Sequence, residues 1–492
     1  MMVRIEPDLC KGCGRCAKEC PLEAITIADK KAVISDKCVG CGVCAKVCPR
    51  GAVIREESSA PGVIKCGSCP VQCEIKPGFT GACKRYLHTG DKLKRNRELV
   101  TDVSSSYPLI TAVGAGTEYP CCRPAPHIVQ DLRDGVDVIT VVTEAPLSYS
   151  GVKVKIDTNW PIGEEGAVVR RDGRIVGMVD TEEYGAKMLS IGGANLLTGK
   201  DGFTAARTIA DICNGQPVKL KVEHGAVLEL QVGRHPVIDG QEDKKMRVGC
   251  GSATIGMFAR QLAEVVDEAI ILDHHVVGLL SEHLAGEEVG LQWSGVTPNA
   301  RKSTRGRYFG EQGDGWGGTD ISDPRQAIAR VDMGVAGPGI KILVTETTGQ
   351  RAALFTVSEQ GEVKNIPMLP EVQAVVDLIS KNCEESRVSA VYVGGTGGSA
   401  RAGVTRCPIK LTRAVHSGDA KLTIGGAETF VLPGGGINFM VDVEQVVPKA
   451  FTWAPTPATV APVEYTMTKE KYAEIDGHMD EIVDISYLRK DE

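Results

Sequence analysis

Apolar and polar residues alternate through Leu220, Val222, Val227, Leu228, Leu230 and Val232, the period of strands that bury one face. Three turn dipeptides stand between runs of this kind and predict hairpins: Val168 to Val179 around Asp172-Gly173, Val218 to Val232 around His224-Gly225, and Leu422 to Leu432 around Gly425-Gly426. Further short strands are expected at Met246 to Val248, Ala269 to Leu272 and Ala390 to Val393. Helical periodicity is rarer. It predicts a helix over Phe203 to Cys213, ended by Asn214-Gly215, and another over Ile255 to Asp267 with Phe258, Leu262 and Val265 on one side. Near the start, Ala24 matches Ala52 and Ile25 matches Val53, so two short apolar strands recur in one register.

That register belongs to a duplicated cysteine motif, C-x2-C-x2-C-x3-C-P, at Cys10, Cys13, Cys16, Cys20 and Pro21, then at Cys38, Cys41, Cys44, Cys48 and Pro49. Four thiolates this close can wrap a cubic iron-sulfur cluster, whereas zinc sites favour two separated C-x2-C pairs. The proline after each fourth cysteine turns the chain so that this cysteine reaches the other cluster, as in bacterial two-cluster ferredoxins. The expected ligand sets are therefore Cys10, Cys13, Cys16 and Cys48 for one [4Fe-4S] centre and Cys20, Cys38, Cys41 and Cys44 for the other.

A third group follows: Cys66, Cys69, Cys73 and Cys83, with Pro77, Gly78 and Gly81 in the loop before the last. It could hold a third Fe-S cluster, structural zinc, or no metal. Lys84, Arg85, Lys92, Lys94, Arg95 and Arg97 then read as a basic, solvated connector.

With 492 residues the chain is too long to be a ferredoxin alone. We expect a multidomain α+β protein with an N-terminal two-cluster ferredoxin-like domain followed by Gly-rich mixed α/β domains with β-hairpins. The boundaries read as 1–60 for the two-cluster domain, 61–100 for the Cys-rich segment, 101–245 for a β-rich α+β domain and 246–492 for an α/β catalytic and substrate region. Basic residues number 56 against 63 acidic ones, a net charge of −7 with no long cationic run, so nucleic acid is not an expected partner. Nor is a membrane, since no window approaches the ~18 apolar residues of a spanning helix. Met1 to Asp8 has no hydrophobic stretch after its basic residue, and 18 cysteines without an export signal fit a reducing cytoplasm.

Candidate chemistry lies in several places. Asp273, His274, His275 and His283 gather three imidazoles after an apolar strand, suited to delivering protons near neutral pH. Each taken alone is as readily structural. Arg301, Lys302, Arg305 and Arg307 stand among small polar residues and could clamp a carboxylate or phosphate, or form a solvated basic face. Cys121 and Cys122 beside Arg123 could donate protons or ligate, or be ordinary cysteines in a proline-fixed loop. Two Gly-rich strand-to-helix turns could cradle a cofactor phosphate, one at Gly251, Ser252 and Thr254, the other at Gly394, Gly395, Gly397 and Gly398. A third Gly-rich loop surrounds Trp316. None is a full dinucleotide fingerprint, and each could be a plain turn.

The order of these features resembles the 6-hydroxynicotinate reductase family. The likeness is carried by the double cysteine repeat, CGSCPVQC with GAC at Cys66 to Cys83, SGVTPNARKSTRGRYFG at Ser294 to Gly310, GGTGGSARAG at Gly394 to Gly403, and LPGGGINFMVDV at Leu432 to Val443. It implies a ferredoxin-dependent iron-sulfur flavoenzyme that adds two electrons and two protons to the pyridone ring of 6-hydroxynicotinate, giving 1,4,5,6-tetrahydro-6-oxonicotinate. The implied cofactors are the clusters and a flavin, FAD or FMN, although no flavin-binding motif stands in the sequence. The implied partners are ferredoxin as donor and a small heterocyclic substrate, and a homo-oligomer is expected. Two rival readings remain: an electron-transfer or activator protein serving a partner enzyme, and a reductase of another cyclic amide or unsaturated heterocycle. A hydrolase with purely structural clusters fits a relay-type duplication least well.

Overall fold

The computed structural model describes residues 2–56, 61–69, 71–96, 98–102, 109–113, 126–158, 160–183, 186–197, 199–244, 251–273, 278–299, 315–381, 386–394, 401, 403–432, 438–455 and 458–489. In the head, the duplication in sequence is a duplication in space. Helices Arg15–Lys18 and Val43–Val47 each follow a glycine in the left-handed region, Gly14 at φ 76° and Gly42 at φ 80°. Strand Met2–Ile5 pairs antiparallel with Val53–Glu56, and Ile25–Ala28 with Lys31–Ile34, so the start of the chain closes on the strand after the second motif. The equivalent Ala24 and Ala52 are both buried in the small core this makes.

Buried polar contacts seat the head on the rest of the chain. Glu19 accepts from Thr204 Oγ1 at 3.1 Å and from Arg207 Nε and Nη2 at 3.0 and 2.9 Å. Val43 and Val47 pack against Phe203, and the Lys46 ammonium stands 5.7 Å from the centre of that ring. All three receiving side chains lie on helix Gly202–Cys213, which matches the expected Phe203 to Cys213 to within one residue. Nearly every residue of this helix is buried, because it is held between the head on one side and a sheet on the other. Enclosing each of its large side chains, such as Phe203 and Ile209, is worth about 1.5–3 kcal/mol.

The Cys-rich segment carries two short pairs, Ile64–Lys65 with Glu74–Ile75 and Tyr86–His88 with Leu93–Arg95, around fully buried Ile75 and Ala82. Strands Glu98–Asp102 and Leu109–Val113 then pair with one another.

Beyond these, a large sheet closes into a barrel. Its ring runs through antiparallel neighbours Val152–Ile156, Ala186–Ile191, Arg174–Glu183, Val168–Arg171, Val218–Val222 and Val227–Leu230. Val232 then bridges to Val388, and strand Val388–Gly394 returns to Val152–Ile156. From Val388–Gly394 a second run continues through Asn438–Asp442, Ala427–Leu432, Ala420–Ile424, Ala458–Thr468, Val136–Pro146 and His127–Arg133. The interior is aliphatic, with Ile156, Val169, Leu189, Leu220, Val222 and Val388 all buried. The sheet thus draws strands from both sides of position 245.

All three expected hairpins form. Asp172 and Gly173, and Gly425 and Gly426, have positive φ at both turn positions, the type I′ geometry whose twist suits a two-residue hairpin. Gly225 is needed for a different reason: a Cβ there would stand 2.3 Å from the Ile162 carbonyl oxygen.

Residues 251–381 build a separate five-stranded sheet in the order Gly278–Leu279, Glu268–Leu272, Lys341–Glu346, Ala352–Val357 and Val363–Ile366, in which only the second and third strands run parallel. Helices Gly251–Ala263 and Pro370–Lys381 cover one face. The first of these corrects the expected Ile255 to Asp267. It begins four residues earlier because Asp273 Oδ2 accepts from the Gly251 amide at 2.5 Å, satisfying a helix-end donor from outside the local sequence. It ends earlier because Asp267 is claimed by the start of strand Lys341–Glu346, Asp267 N donating to Lys341 O and Lys341 N to Asp267 Oδ2. Phe258 and Leu262 face the core as expected and Ile255 joins them, while Val265 lies past the helix. The strand expected at Met246 to Val248 lies outside the described residues.

Candidate iron-sulfur relay and reaction edge

The duplicated motifs place their thiols around two separate cavities. Cys10, Cys13, Cys16 and Cys48 line one of about 370 Å³, and Cys20, Cys38, Cys41 and Cys44 line the other of about 330 Å³, both measures including space open to solvent. The division is the crossed one, each motif lending its fourth cysteine to the other's cavity. Among the described residues no three or more His, Cys, Asp or Glu side chains converge as chelators of a single metal ion. The quartets instead surround volumes.

Backbone amides reinforce this fit. Ala24 N–H points at Cys20 Sγ at 3.2 Å and Ala32 N–H at Cys10 Sγ at 3.4 Å. Amides of Gly12 and Ala32 hold the Cys10 thiol below its usual range. Burial pushes Cys16 and Cys38 up, takes Cys41 up to about 11 and Cys44 up to about 12, and amides of Ala17, Gly40, Val43 and Ala45 oppose it. Thiols that resist ionising alone, ringed by amide donors, suit a positively charged iron core that takes all four as thiolates. Gly12 makes the first loop possible: its φ is 64° and a Cβ would meet the Lys30 carbonyl at 2.5 Å.

The third group closes through two tight turns. Cys66 N donates to Cys73 O at 2.8 Å and Gln72 N to Cys69 O at 3.2 Å, while Gly81 N donates to Tyr86 O at 2.9 Å and Lys84 N to Gly81 O at 2.8 Å. Burial pushes Cys73 and Cys83 up, and the amides of Ala82 and Arg85 oppose it at the two sulfurs. This group abuts the second cavity. Glu74 N donates to Val39 O at 3.0 Å, and Cys41 packs with Cys66 and Cys73 in one cluster.

The basic connector expected to be solvated is corrected at Arg85, which is 1% exposed. Its Nη2 meets Glu144 Oε1 at 2.7 Å, its Nε meets Glu144 Oε2 at 3.3 Å, and its Nη1 donates to the Cys83 carbonyl at 3.1 Å. Burial works against the Arg85 charge, but Glu144 and Cys83 outweigh it and hold the guanidinium above its usual range. Burial alone would push Glu144 toward the neutral acid. Two guanidinium N–H groups aimed at its two oxygens favour the carboxylate, and the geometry is that of an ion pair.

Glu144 lies opposite Pro462, and Val142 opposite Glu464, so both carboxyls share one face of the sheet. Glu464 is buried, accepting from Thr111 Oγ1, from Thr423 Oγ1 at 2.7 Å and from Gly426 N at 3.2 Å. Burial lifts it to about 7. Sequence reasoning missed both acids. Each is a single Glu in a strand, and only pairing and burial set it apart.

At the five-stranded sheet, Asp273 and Glu346 end the two parallel strands side by side, the Leu272–Glu346 pair bringing them together. Asp273 holds Gly251 N, and Glu346 Oε1 holds Gly317 N at 2.7 Å. Arg351 pairs with Glu346 and lies 5.4 Å from the Trp316 ring centre. Carboxyl ends of parallel strands are where open α/β sheets bind ligands. The Gly251 amide, expected to face an anion, is engaged by Asp273, and Thr254 Oγ1 donates to Thr347 O at 3.2 Å. Ser252 lies in the helix, and Gly394 ends strand Val388–Gly394 opposite Phe439.

His283 caps helix Leu284–Glu288, its Nδ1 accepting from Ala285 N at 3.1 Å. Because that nitrogen accepts, Nε2 carries the proton of the neutral ring. His274, His275, Cys121, Cys122, Arg301, Arg305, Arg307, Gly395, Gly397 and Gly398 lie outside the described residues.

Comparison with known proteins agrees with the geometry. Residues 3–56 match the family described as "4Fe-4S dicluster domain". Over 496 aligned positions, covering 99% of both chains, the sequence is 56% identical to 6-hydroxynicotinate reductase of Eubacterium barkeri. The chain belongs to the 6-hydroxynicotinate reductase family. Membership of the 6-hydroxynicotinate reductase family makes it an oxidoreductase, and the paired quartets supply the iron-sulfur part of such a protein. No solved structure matches the chain. Among the described residues no helix is long and apolar enough to cross a membrane.

Proposed function

We propose that this protein reduces 6-hydroxynicotinate to 1,4,5,6-tetrahydro-6-oxonicotinate with electrons from reduced ferredoxin. The observation that carries the reading is the match over 99% of the chain to a protein of that activity, the head and Cys-rich segment included. When bound, the two clusters supply low-potential electrons one at a time.

The chain's own residues then have distinct tasks. Cys10, Cys13, Cys16 and Cys48 form the outer seat, and Cys20, Cys38, Cys41 and Cys44 the inner one. Cys66, Cys69, Cys73 and Cys83 are a third redox seat rather than a zinc knot, a reading supported by the packing of Cys66 and Cys73 against Cys41. Arg85 and Glu144 hold that seat on the sheet. Residues 1–60 take up electrons, 61–100 link them inward, and the remainder binds and reduces the ring. Arg301, Arg305 or Arg307 holds the nicotinate carboxylate. His274, His275 or His283 gives up a proton, and for His283 the proton sits on Nε2. Described neighbours of these segments support the grouping, since Asp273 precedes His274 directly and Trp316, shortly after Arg307 in the chain, packs beside Arg351 and Glu346. A flavin next to the substrate would store two electrons. The Gly251 turn does not fit its phosphate, because Asp273 already holds the first amide of the helix.

The test is anaerobic purification followed by iron, sulfide, zinc and flavin analysis and then turnover with reduced ferredoxin. Loss of the pyridone absorption with two electrons consumed per ring is expected. A protein that carries clusters yet reduces only another protein would be a relay, and one that reduces a different cyclic amide faster would be a reductase of that amide.

A further inference from the structure

We propose that the mouth of the cavity lined by Cys10, Cys13, Cys16 and Cys48 is the docking surface for an acidic electron-carrier protein. The proposal rests on the reading above that electrons arrive from an external carrier, and it assigns the place and the charge of that encounter.

The two cavities of the head differ in ways that fix a direction. Lys11, Arg15 and Arg50 line the first, and no Asp or Glu does. The wall of the second has no charged side chain at all, and its flank is covered by the Cys-rich segment through Val39 and Cys41. Cys13 is exposed, as are Leu9 at 48% and Ile27 at 39%, both wall residues of the first cavity. The first cavity therefore faces solvent, and the second faces the protein.

The cations at this mouth are available. Lys11 and Arg50 are exposed, and none of Lys11, Arg15 and Arg50 has a hydrogen-bond or ion-pair partner among the described residues. Lys31 adds a further positive charge by donating to the Cys10 carbonyl at 2.8 Å. The local sign is opposite to that of the whole chain. Residues 1–56 hold ten Lys and Arg against seven Asp and Glu, whereas the full chain has a net charge of −7.

Such an arrangement, a small apolar centre ringed by unpaired cations over a redox cavity, suits brief contact with a carboxylate-rich surface. Complementary charge steers the approach and raises the association rate, while the limited apolar contact at Leu9 and Ile27 lets the partner leave. A stable subunit interface would need a far larger apolar face. The cations could instead act only on the cluster, by making its reduced form more favourable. That alternative predicts no effect on binding.

The experiment measures binding of an acidic two-cluster ferredoxin to the full-length, cluster-loaded chain by anaerobic titration calorimetry. For K11E/R50E the dissociation constant is expected to rise about tenfold or more at low ionic strength. For the unaltered chain it should weaken steadily as salt is added. Iron and sulfide content of the variant should match that of the unaltered chain. If the variant loses iron, K11Q/R50Q and the salt series decide the matter. An unchanged dissociation constant, salt-independent binding, or no binding of ferredoxin to the unaltered chain would overturn the proposal. A chain that binds ferredoxin as described yet reduces no pyridone would overturn the function proposed above and leave the docking surface standing.

Discussion

Arg85 and Glu144 meet in a fully buried, two-pronged ion pair that joins the segment holding Cys66 to Cys83 to a strand of the large sheet. Arg85 also donates to the Cys83 carbonyl, so one guanidinium links the last cysteine of the group to the sheet. Distance and order between the third group and the sheet depend on it.

Removing one partner leaves the other charged, buried and unpaired, which costs about 3–5 kcal/mol. We expect R85A and E144A each to lower the denaturation midpoint sharply and to shed metal from the Cys66 to Cys83 group first. The double variant R85M/E144L should recover most of the stability, because no lone charge remains. Anaerobic denaturation with iron and zinc analysis checks this, and a midpoint for the double variant no better than for the singles would contradict it.

The crossed division of the thiols between the two cavities makes a spectroscopic prediction. C48A should remove the same paramagnetic signal as C13A, although the two residues belong to different motifs, and C20A should pair with C41A. Reduced-state EPR of the four variants separates this from ligation within each motif, in which C48A would match C41A. Each variant should lose about half of the iron held by the head.

Burial lifts Glu464 into the range where activity would be measured. Its folded-state value, lifted by burial to about 7, lies above that of an exposed Glu, so the folded protein holds the proton more tightly than the unfolded chain. The resulting stabilisation is full below the unfolded value and is lost as pH rises to about 7. Its size is about 3 kcal/mol by the usual conversion of a pKa difference. E464Q keeps an uncharged oxygen to accept from Thr423 and Gly426 while its amide NH2 can donate to Thr111 Oγ1, so the loss of stability between pH 5 and pH 8 should flatten. Anaerobic melting curves at the two pH values test the sign, and an equal fall in both proteins would refute it.

For His283 two roles predict different results. As a helix cap, H283A should cost about 1 kcal/mol and H283N should restore it, because an Asn oxygen can accept the Ala285 amide. If the Nε2 proton is also the one delivered to the ring, H283N should be stable but about a hundredfold slower. Turnover equal to that of the unaltered chain would leave His283 as a cap alone and move the proton to His274 or His275.

What could be read from the sequence was local. Cysteine spacing pointed to two four-thiol sites, since three thiols within seven residues and a fourth turned away by a proline leave few arrangements, and the thiols do divide between two cavities in the crossed sets. Asp172-Gly173 and Gly425-Gly426 dictated hairpins because positive φ at two successive positions is a property of those residues. Helix Gly202–Cys213 was legible for the same kind of reason, with a turn dipeptide closing its apolar run.

Tertiary structure decided whatever depended on a partner far along the chain. The start of helix Gly251–Ala263 is set by Asp273, and Arg85 left the solvent because Glu144 awaited it on a strand that sequence could not place. Glu464 became a proton-holding acid only when the strands around it excluded water, an effect that the hydrogen bonds from Thr111 and Thr423 oppose without cancelling. The barrel closes through Val232 and Val388, whose separation in the chain carries no periodic signal. Turn and ligand geometry are written in neighbouring side chains, whereas burial and ion pairing are settled by whichever distant surfaces the fold brings together.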